Sequence, residues 1–265
     1  MTQGYVPGTQ NELGHAMVTM IEPTHDPAEL AEYNRWYEFD HSYSGVMIGP
    51  GAFAFRRWVA TRALKDLRYP NPSTVADPVD TGSFIAAYWY LDGSVEEHFK
   101  WSFGEMPGLV AAGRMNPNRT HVSTSLYDLR SVVNRPGWPV PGQITLDHPY
   151  QGMVAMWTDR ADDASLDALA DWIATTLAPK VLDGPVAQAI TFAPRDMPGV
   201  PNSGVGVGTR LLTMFFVQSD PREAWAAHFT GLDDAVKGSG LGTVGLVAPF
   251  IPVIPGTNTY LDELW

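Results

Sequence analysis

Cysteine is absent from the 265-residue sequence. That excludes disulfide frameworks, thiolate metal sites and a cysteine nucleophile, and it leaves the redox compartment undefined. Charge is scarce too: 17% of the residues are Asp, Glu, Lys or Arg, against about 25% in an ordinary globular chain. Cations are the scarcer sign, 17 Lys and Arg against 29 Asp and Glu, for a net charge of −12. Nucleic acids and anionic membranes are bound through clustered Lys and Arg. Nothing here exceeds the pair Arg56-Arg57, so neither partner is expected. No apolar run approaches the roughly 20 residues that span a bilayer, and the longest, such as Leu246 to Ile254, carry prolines. Met1 to Gln10 is polar and has no basic region followed by an apolar stretch. No secretion signal is therefore expected, and a cytoplasmic location is the default.

Several motifs are missing as well. HExxH, the P-loop, the GxSxG elbow and the EF-hand loop do not occur. Gly204 to Gly208 lacks the strand-before, helix-after context of a nucleotide fingerprint and reads as a loop. His15, His25, His121 and His148 are scattered, and no pair has metal-ligand spacing, so no metal is expected. At 45% hydrophobic, the chain can bury enough surface to offset its ordering entropy.

What is present is one element order written twice. His15 to Ile21 alternates as a strand, and Asp26-Pro27 supplies a cap and a first-turn proline for the helix that follows. After Gly49-Pro50-Gly51, AFAFRRWVATRAL and then SFIAAYWYL read as strands. Ser94 is placed to cap a helix beginning VEEHFKWSF, and Arg119 to Leu129 reads as the last strand of the unit. The second half repeats this order: strand 152–158, helix 163–182, strands VAQAITFAP and TRLLTMFFVQ, a helix after Asp220-Pro221, and strand 242–254. EEHF at Glu96–Phe99 and AAHF at Ala226–Phe229 fall in matching helices.

A β-α-β-β-α-β unit is the ferredoxin-like split motif, whose four-stranded sheet carries helices on one face only. The bare face must be buried, and a second copy in the chain can bury it. The expected class is therefore α+β, two tandem ferredoxin-like repeats packed sheet to sheet within one chain. The repeats would span 1–135 and 150–265, with 136–149 as a proline-rich linker, and the first would be the active half.

YNRWYEFDH followed by PGAFAFRRW resembles the dimeric α+β barrel superfamily, and within it the EthD-like proteins. The residues that carry the resemblance are Trp36, Tyr37, His41, Pro50, Gly51, Arg56, Arg57 and Trp58. The strand GSFIAAYWYLDG is similar to the next strand of that family. Two departures stand out: Ser42-Tyr43 follow His41 where the family has Leu-Pro, and the second half lacks both the helix His and the Arg-Arg pair. The resemblance implies chemistry in the first half only. It does not select among lyases, isomerases, polyketide cyclases and dehydratases, cofactor-independent monooxygenases and haem proteins.

His41 is the leading candidate for chemistry. Tyr33, Tyr37 and His41 are spaced four apart and share a helix face. An imidazole suits acid–base work near neutral pH, with Tyr37 orienting it or donating a proton. The competing reading is a helix-end His facing the terminal carbonyls. Glu38 and Asp40 read as a solvated acidic face. His98 is the second catalytic candidate, although His228 at the repeat-equivalent position argues for packing in both. Arg56 and Arg57 alternate across a strand; the inward one, Arg57 or Arg56, would hold a carboxylate or enolate oxygen, or else pair with Glu38. Trp36, Tyr33, Tyr88, Tyr90 and Trp101 are candidate walls of an aromatic pocket, or else core.

These residues point to an enzyme without a cofactor, of lyase, dehydratase, isomerase or cyclase type. Its substrate would be a small aromatic, polyketide-like or apolar carbonyl compound. The alternatives are a monooxygenase, cofactor-free or haem-dependent with His98 or His228 as axial ligand, and a non-catalytic protein that binds an apolar small molecule. A homodimer through a sheet edge or helix face is compatible with either.

Overall fold

Strand alternation sorts side chains onto two faces, and in this chain both faces are covered. The computed structural model describes residues 12–196 and 204–265. The polar N-terminal stretch Met1 to Gln10 and most of the glycine- and proline-rich loop after Asp196 lie outside the described residues. The first half contains β1 (Leu13–Pro23), α1 (Pro27–Trp36), β2 (Ala52–Val59), a one-turn α2 (Arg62–Lys65), β3 (Phe84–Leu91), α3 (Val95–Ala111) and β4 (Arg119–Asn134). The second contains β5 (Gly152–Arg160), α4 (Leu166–Trp172), α5 (Ala178–Val181), β6 (Val186–Arg195), β7 (Arg210–Val217), α6 (Pro221–His228), α7 (Leu232–Gly238) and β8 (Gly242–Pro252).

The strands pair as β4-β1-β3-β2 in the first half and β8-β5-β7-β6 in the second, and the eight close into one barrel. The fold is α+β, with two ferredoxin-like units facing each other through their sheets. The sheets also hydrogen-bond at both seams, which are unequal. β4 meets β6 from Leu126↔Arg195 to Asn134↔Gln188, whereas β2 meets β8 only at Trp58↔Pro252 and Val59↔Ile251. The long seam exists because β4 continues to Asn134, past the expected end at Leu129.

Trp58, Trp89, Trp157, Phe192 and Phe216 fill the barrel interior and are fully buried. Residues 136–150 cover one end of it. Arg56 donates to the carbonyls of Leu146 (3.1 Å) and His148 (2.6 Å), the Gln188 amide donates to Val140 O (2.8 Å), and the Trp89 indole N–H donates to Gly142 O (3.1 Å). The space between the two sheets is thus core.

Local chemistry explains most element ends. The Asp26 carboxylate accepts from the backbone N–H groups of Ala28 and Glu29, and Asp220 and Ser165 cap α6 and α4 in the same way. Ser94 differs from expectation: its hydroxyl donates to Leu91 O at 2.7 Å instead of accepting from the helix. The helix expected over 221–236 is two helices, split where Gly231 takes a φ of +78°.

Candidate functional site

Outside the barrel, between the first sheet and its helices, lies a cavity of about 160 Å³. Its floor is the outward face of β1 and β4, with Met17, Thr19 and Ile21 from one and Arg119, His121 and Thr124 from the other. The helix ending in His41 forms one wall, and α3 supplies His98, Phe99, Ser102, Phe103, Met106 and Leu109.

His41 sits where α1 runs on into two π-helical turns, Tyr37–His41 and Tyr43–Met47. Such wider turns recur at functional sites. The Tyr33, Tyr37 and His41 rings follow one another along the helix, with centroids 6.0 Å and 5.3 Å apart. Trp36 stacks on His41 at 4.4 Å and 20°. Neither ring nitrogen of His41 has a hydrogen-bond partner among the described residues, so the imidazole is not engaged with helix-end carbonyls. Tyr37 O accepts from Tyr88 O–H at 2.9 Å, which leaves its own hydroxyl hydrogen free to donate.

A bulge aims His121 into the cavity. β1 and β4 are in register up to Met20↔Ser123, and the next pair is Ile21↔His121, so Val122 is an extra residue in β4. Without it, strand alternation would place Val122 beside Thr124 on the cavity face and His121 on the other. The His121 Nδ1 lies 2.7 Å from Thr124 Oγ1, itself 2.7 Å from Thr19 Oγ1. Two residues before His121, Arg119 shares its face. Its guanidinium donates to Asn116 O and lies 5.0 Å from the Trp36 ring, and no carboxylate pairs with it among the described residues.

His98 is buried against the Gly49-Pro50-Gly51 turn. Its Nδ1 lies 2.9 Å from Pro50 O. A carbonyl only accepts, so Nδ1 carries the proton and, in the neutral ring, Nε2 carries the lone pair. The close approach needs glycine: a Cβ on Gly49 would lie 2.8 Å from His98 Cε1 and 2.3 Å from the Trp101 ring.

All three cavity imidazoles are held neutral. Burial, reinforced by the Arg119 charge, pushes His41 down to about 3, against an opposing pull from Asp40. Burial lowers His98 despite its bond to Pro50 O, and burial and then Arg119 lower His121. Burial raises Tyr37, with the Tyr88 hydrogen bond only partly offsetting it. The empty cavity therefore presents neutral rings, a phenol donor and one guanidinium.

Of the residues singled out from sequence, His41, Tyr37 and His98 line this cavity. Trp36, Tyr33, Tyr88, Tyr90 and Trp101 form the layer behind it. Tyr90 packs on His98 with ring centroids 4.5 Å apart, Trp101 packs on it at 5.6 Å, and Tyr33 is wholly buried. Of the two readings of the arginine pair, Arg57 takes the one with Glu38, and neither arginine faces His41. Arg57 points towards α1, where Nη1 donates to Asn34 Oδ1 at 2.6 Å and lies 3.4 Å from Glu38 Oε1. Arg56 points the other way and is spent on carbonyls of the segment that covers the barrel end. Neither lines the cavity around His41. Glu38 is likewise buried rather than solvated, and Asp40 pairs with Arg114. Arg119 and His121 are the cavity residues that sequence reasoning passed over. Their i, i+2 spacing on a predicted strand was the available signal.

No protein-family model and no curated protein matches this sequence. Solved structures do match in shape. An anthrone oxidase-like protein superposes with a TM-score of 0.53 at 13% identity, covering 92% of this chain and 93% of its own. A protein assigned as a chlorite dismutase superposes with a TM-score of 0.51 at 10% identity, covering 92% of this chain and 97% of its own. The chain has the dimeric α+β barrel fold. At these identities the likeness is one of fold alone.

The resemblance drawn from sequence includes haem proteins, and the residues here do not fit that group. His228 Nδ1 lies 3.2 Å from Val181 O, and His228 lines none of the cavities described here. His98 faces a space of about 160 Å³, below the roughly 300–1,000 Å³ of sites for drug-sized ligands. A porphyrin does not fit there. No group of three or more His, Asp or Glu able to hold a metal ion occurs among the described residues. Nor is any described helix long and apolar enough to cross a membrane.

Proposed function

We propose that this barrel is a small-molecule enzyme that moves a proton on a ligand held against His41. The observation that carries this reading is His41 itself, a neutral imidazole in an apolar cavity with no hydrogen-bond partner among the described residues. An imidazole left free in a shielded site is available to a ligand proton. Tyr37 is placed to donate to the oxygen of a carbonyl or to the oxyanion formed when a neighbouring C–H is deprotonated. Met17, Phe99, Met106 and Leu109 give the ligand an apolar bed. Isomerisation, elimination and cyclisation each begin with that step. The reaction class proposed is therefore proton abstraction beside a carbonyl, with His41 as base and Tyr37 as donor, and without a cofactor.

A second reading is favoured by the anthrone oxidase-like neighbour. In it the carbanion left on the ligand when His41 takes its proton adds dioxygen, the proton returns to the peroxide oxygen, and loss of water leaves a new carbonyl. Oxygen uptake on substrate addition separates the two.

The test is His41→Ala assayed beside Tyr37→Phe on small cyclic ketones, lactones and hydroxylated aromatics, by hydrogen–deuterium exchange at the carbon next to the carbonyl. The expected result is a loss of at least about 10²-fold in exchange for His41→Ala, with folding intact. Exchange that survives His41→Ala at the wild-type rate removes the assignment.

A further inference from the structure

We propose that the ligand of this cavity is a single-ring aromatic oxyanion, a carboxylate or a phenolate, whose charge is held by Arg119. The proposal rests on reading this cavity as the ligand site and adds the class of molecule it takes.

Size sets the first limit. A cavity of about 160 Å³ is close to the roughly 150 Å³ of an engineered apolar cavity that takes up benzene. Polycyclic ligands are too large for it unless α3 moves. The floor and roof are mostly carbon and sulfur: Met17, Ile21, Phe99, Phe103, Met106 and Leu109.

Charge sets the second. Arg119 lines the same space, and its described partners, Asn116 O and the Trp36 face, satisfy donors without neutralising the charge. The nearby carboxylate, Asp40, is engaged by two nitrogens of Arg114. The remaining titratable groups around the cavity are Tyr37, His41, His98 and His121, and each histidine is held in its neutral form. A guanidinium without a counterion beside an apolar slot favours an anion and does nothing for a neutral isostere. In a chain of net charge −12, that attraction has to be local.

The arrangement has a chemical consequence. With the cavity empty, the Arg119 charge helps to keep His41 a weak base. An oxyanion beside Arg119 cancels that repulsion and strengthens His41 when ligand is present. Burial still holds the ring below its ordinary value, so binding takes up protons in acidic solution, where His41 begins to titrate.

The experiment is calorimetric titration of the full chain with benzoate, 4-nitrophenolate, benzamide and toluene, in two buffers of different ionisation enthalpy. Wild type is expected to bind benzoate or 4-nitrophenolate at least tenfold more tightly than benzamide, with weakening at high salt and, for benzoate in mildly acidic buffer, with proton uptake. Arg119→Gln should bring the anion down to the level of benzamide, and Arg119→Lys should keep part of the preference, which controls for misfolding. Tighter binding of benzoate assigns a carboxylate, and tighter binding of 4-nitrophenolate assigns a phenolate. Equal affinity for benzamide or toluene, or a preference that survives Arg119→Gln, overturns the proposal. His41→Ala should keep the preference, so failure of the acid–base reading and failure of the anion reading give different results.

Discussion

Beneath the helices of the second half, Val154, Met156, Ile173, Leu177, Phe215, Trp225 and Phe229 pack into one apolar cluster. At the matching level of the first half, Leu30, Tyr33, Tyr37 and Tyr88 are buried beneath α1, but beneath α3 the buried cluster is Val95 with Leu126, and the cavity lies beside it. The topology is the same, and so is the irregularity in the sheet. β4 carries its extra residue at Val122 and β8 carries one at Gly245, where the pairing steps from Trp157↔Leu246 to Thr158↔Val244. Register therefore matches the two floors residue by residue. His121 stands where the second half has Val244, the Thr19–Thr124 pair where it has Met156 and Val247, and Arg119 where it has Gly242. One copy of the layer is filled, and the other keeps an apolar cavity with a few polar side chains on its floor.

The largest effect that would break this contrast is catalytic. His98 and His228 each meet a carbonyl through Nδ1, Pro50 O and Val181 O, yet His98 also lines the cavity and His228 does not. His41→Ala should cost about 10²–10⁴-fold in rate, whereas His228→Ala should leave the rate unchanged. A comparable rate loss in His228→Ala would mean that the second half contributes to the site.

Stability should respond in the opposite halves. Phe229 is fully buried in the filled layer, and Phe229→Ala should cost about 3–5 kcal/mol by chemical denaturation. Leu109 touches the cavity and remains partly exposed on α3, so Leu109→Ala should cost less than about 1 kcal/mol. Equal losses would mean that the first layer is packed as tightly as the second.

How much of this was legible beforehand follows from which interactions are local. The element order, the helix starts at Asp26 and Asp220 and the facing of Tyr33, Tyr37 and His41 rest on alternation, caps and i, i+4 spacing, all carried by neighbouring residues. The placing of His121 rests on a bulge, which exists only relative to the partner strand β1. Arg56 and Arg57 read to opposite faces, as observed, and Glu38 reads as a partner for one of them, but the carbonyls that take Arg56 lie 90 or more residues away. His98 and His228 share a His-Phe context, but His98 falls in the first turn of α3 and His228 at the last residue of α6, a difference set by where each helix starts and stops.

A graft sharpens the comparison with a smaller effect. Giving the first floor the second half's side chains, Thr19→Met with Thr124→Val and His121→Val, removes a polar network and fills the void. Cavity filling of this kind gives about 0.5–2 kcal/mol, a rise of a few degrees in Tm for a chain of this size. Ligand binding should disappear at the same time. A graft that melts earlier than wild type would show that the open layer is not simply an unfilled copy of the other.

A last test is the dependence of stability on pH, and its sign follows from the three neutral imidazoles. His41 is held down to about 3 in the folded protein, while an unfolded histidine titrates near 6.5. Between those values the unfolded chain binds a proton that the folded chain refuses, so stability falls as pH drops through the window. His98 and His121 are shifted in the same direction and add to the slope. Removing one of the three should flatten it: His41→Gln should lose less stability than wild type between pH 6.5 and pH 4.5, by equilibrium denaturation. An oxyanion held at Arg119 should flatten the slope as well, because it raises the folded-state affinity of His41 for the same proton. If wild type and His41→Gln run parallel across that window, the ring is not desolvated in solution. The contrast between an open and a filled layer would then have to rest on packing alone.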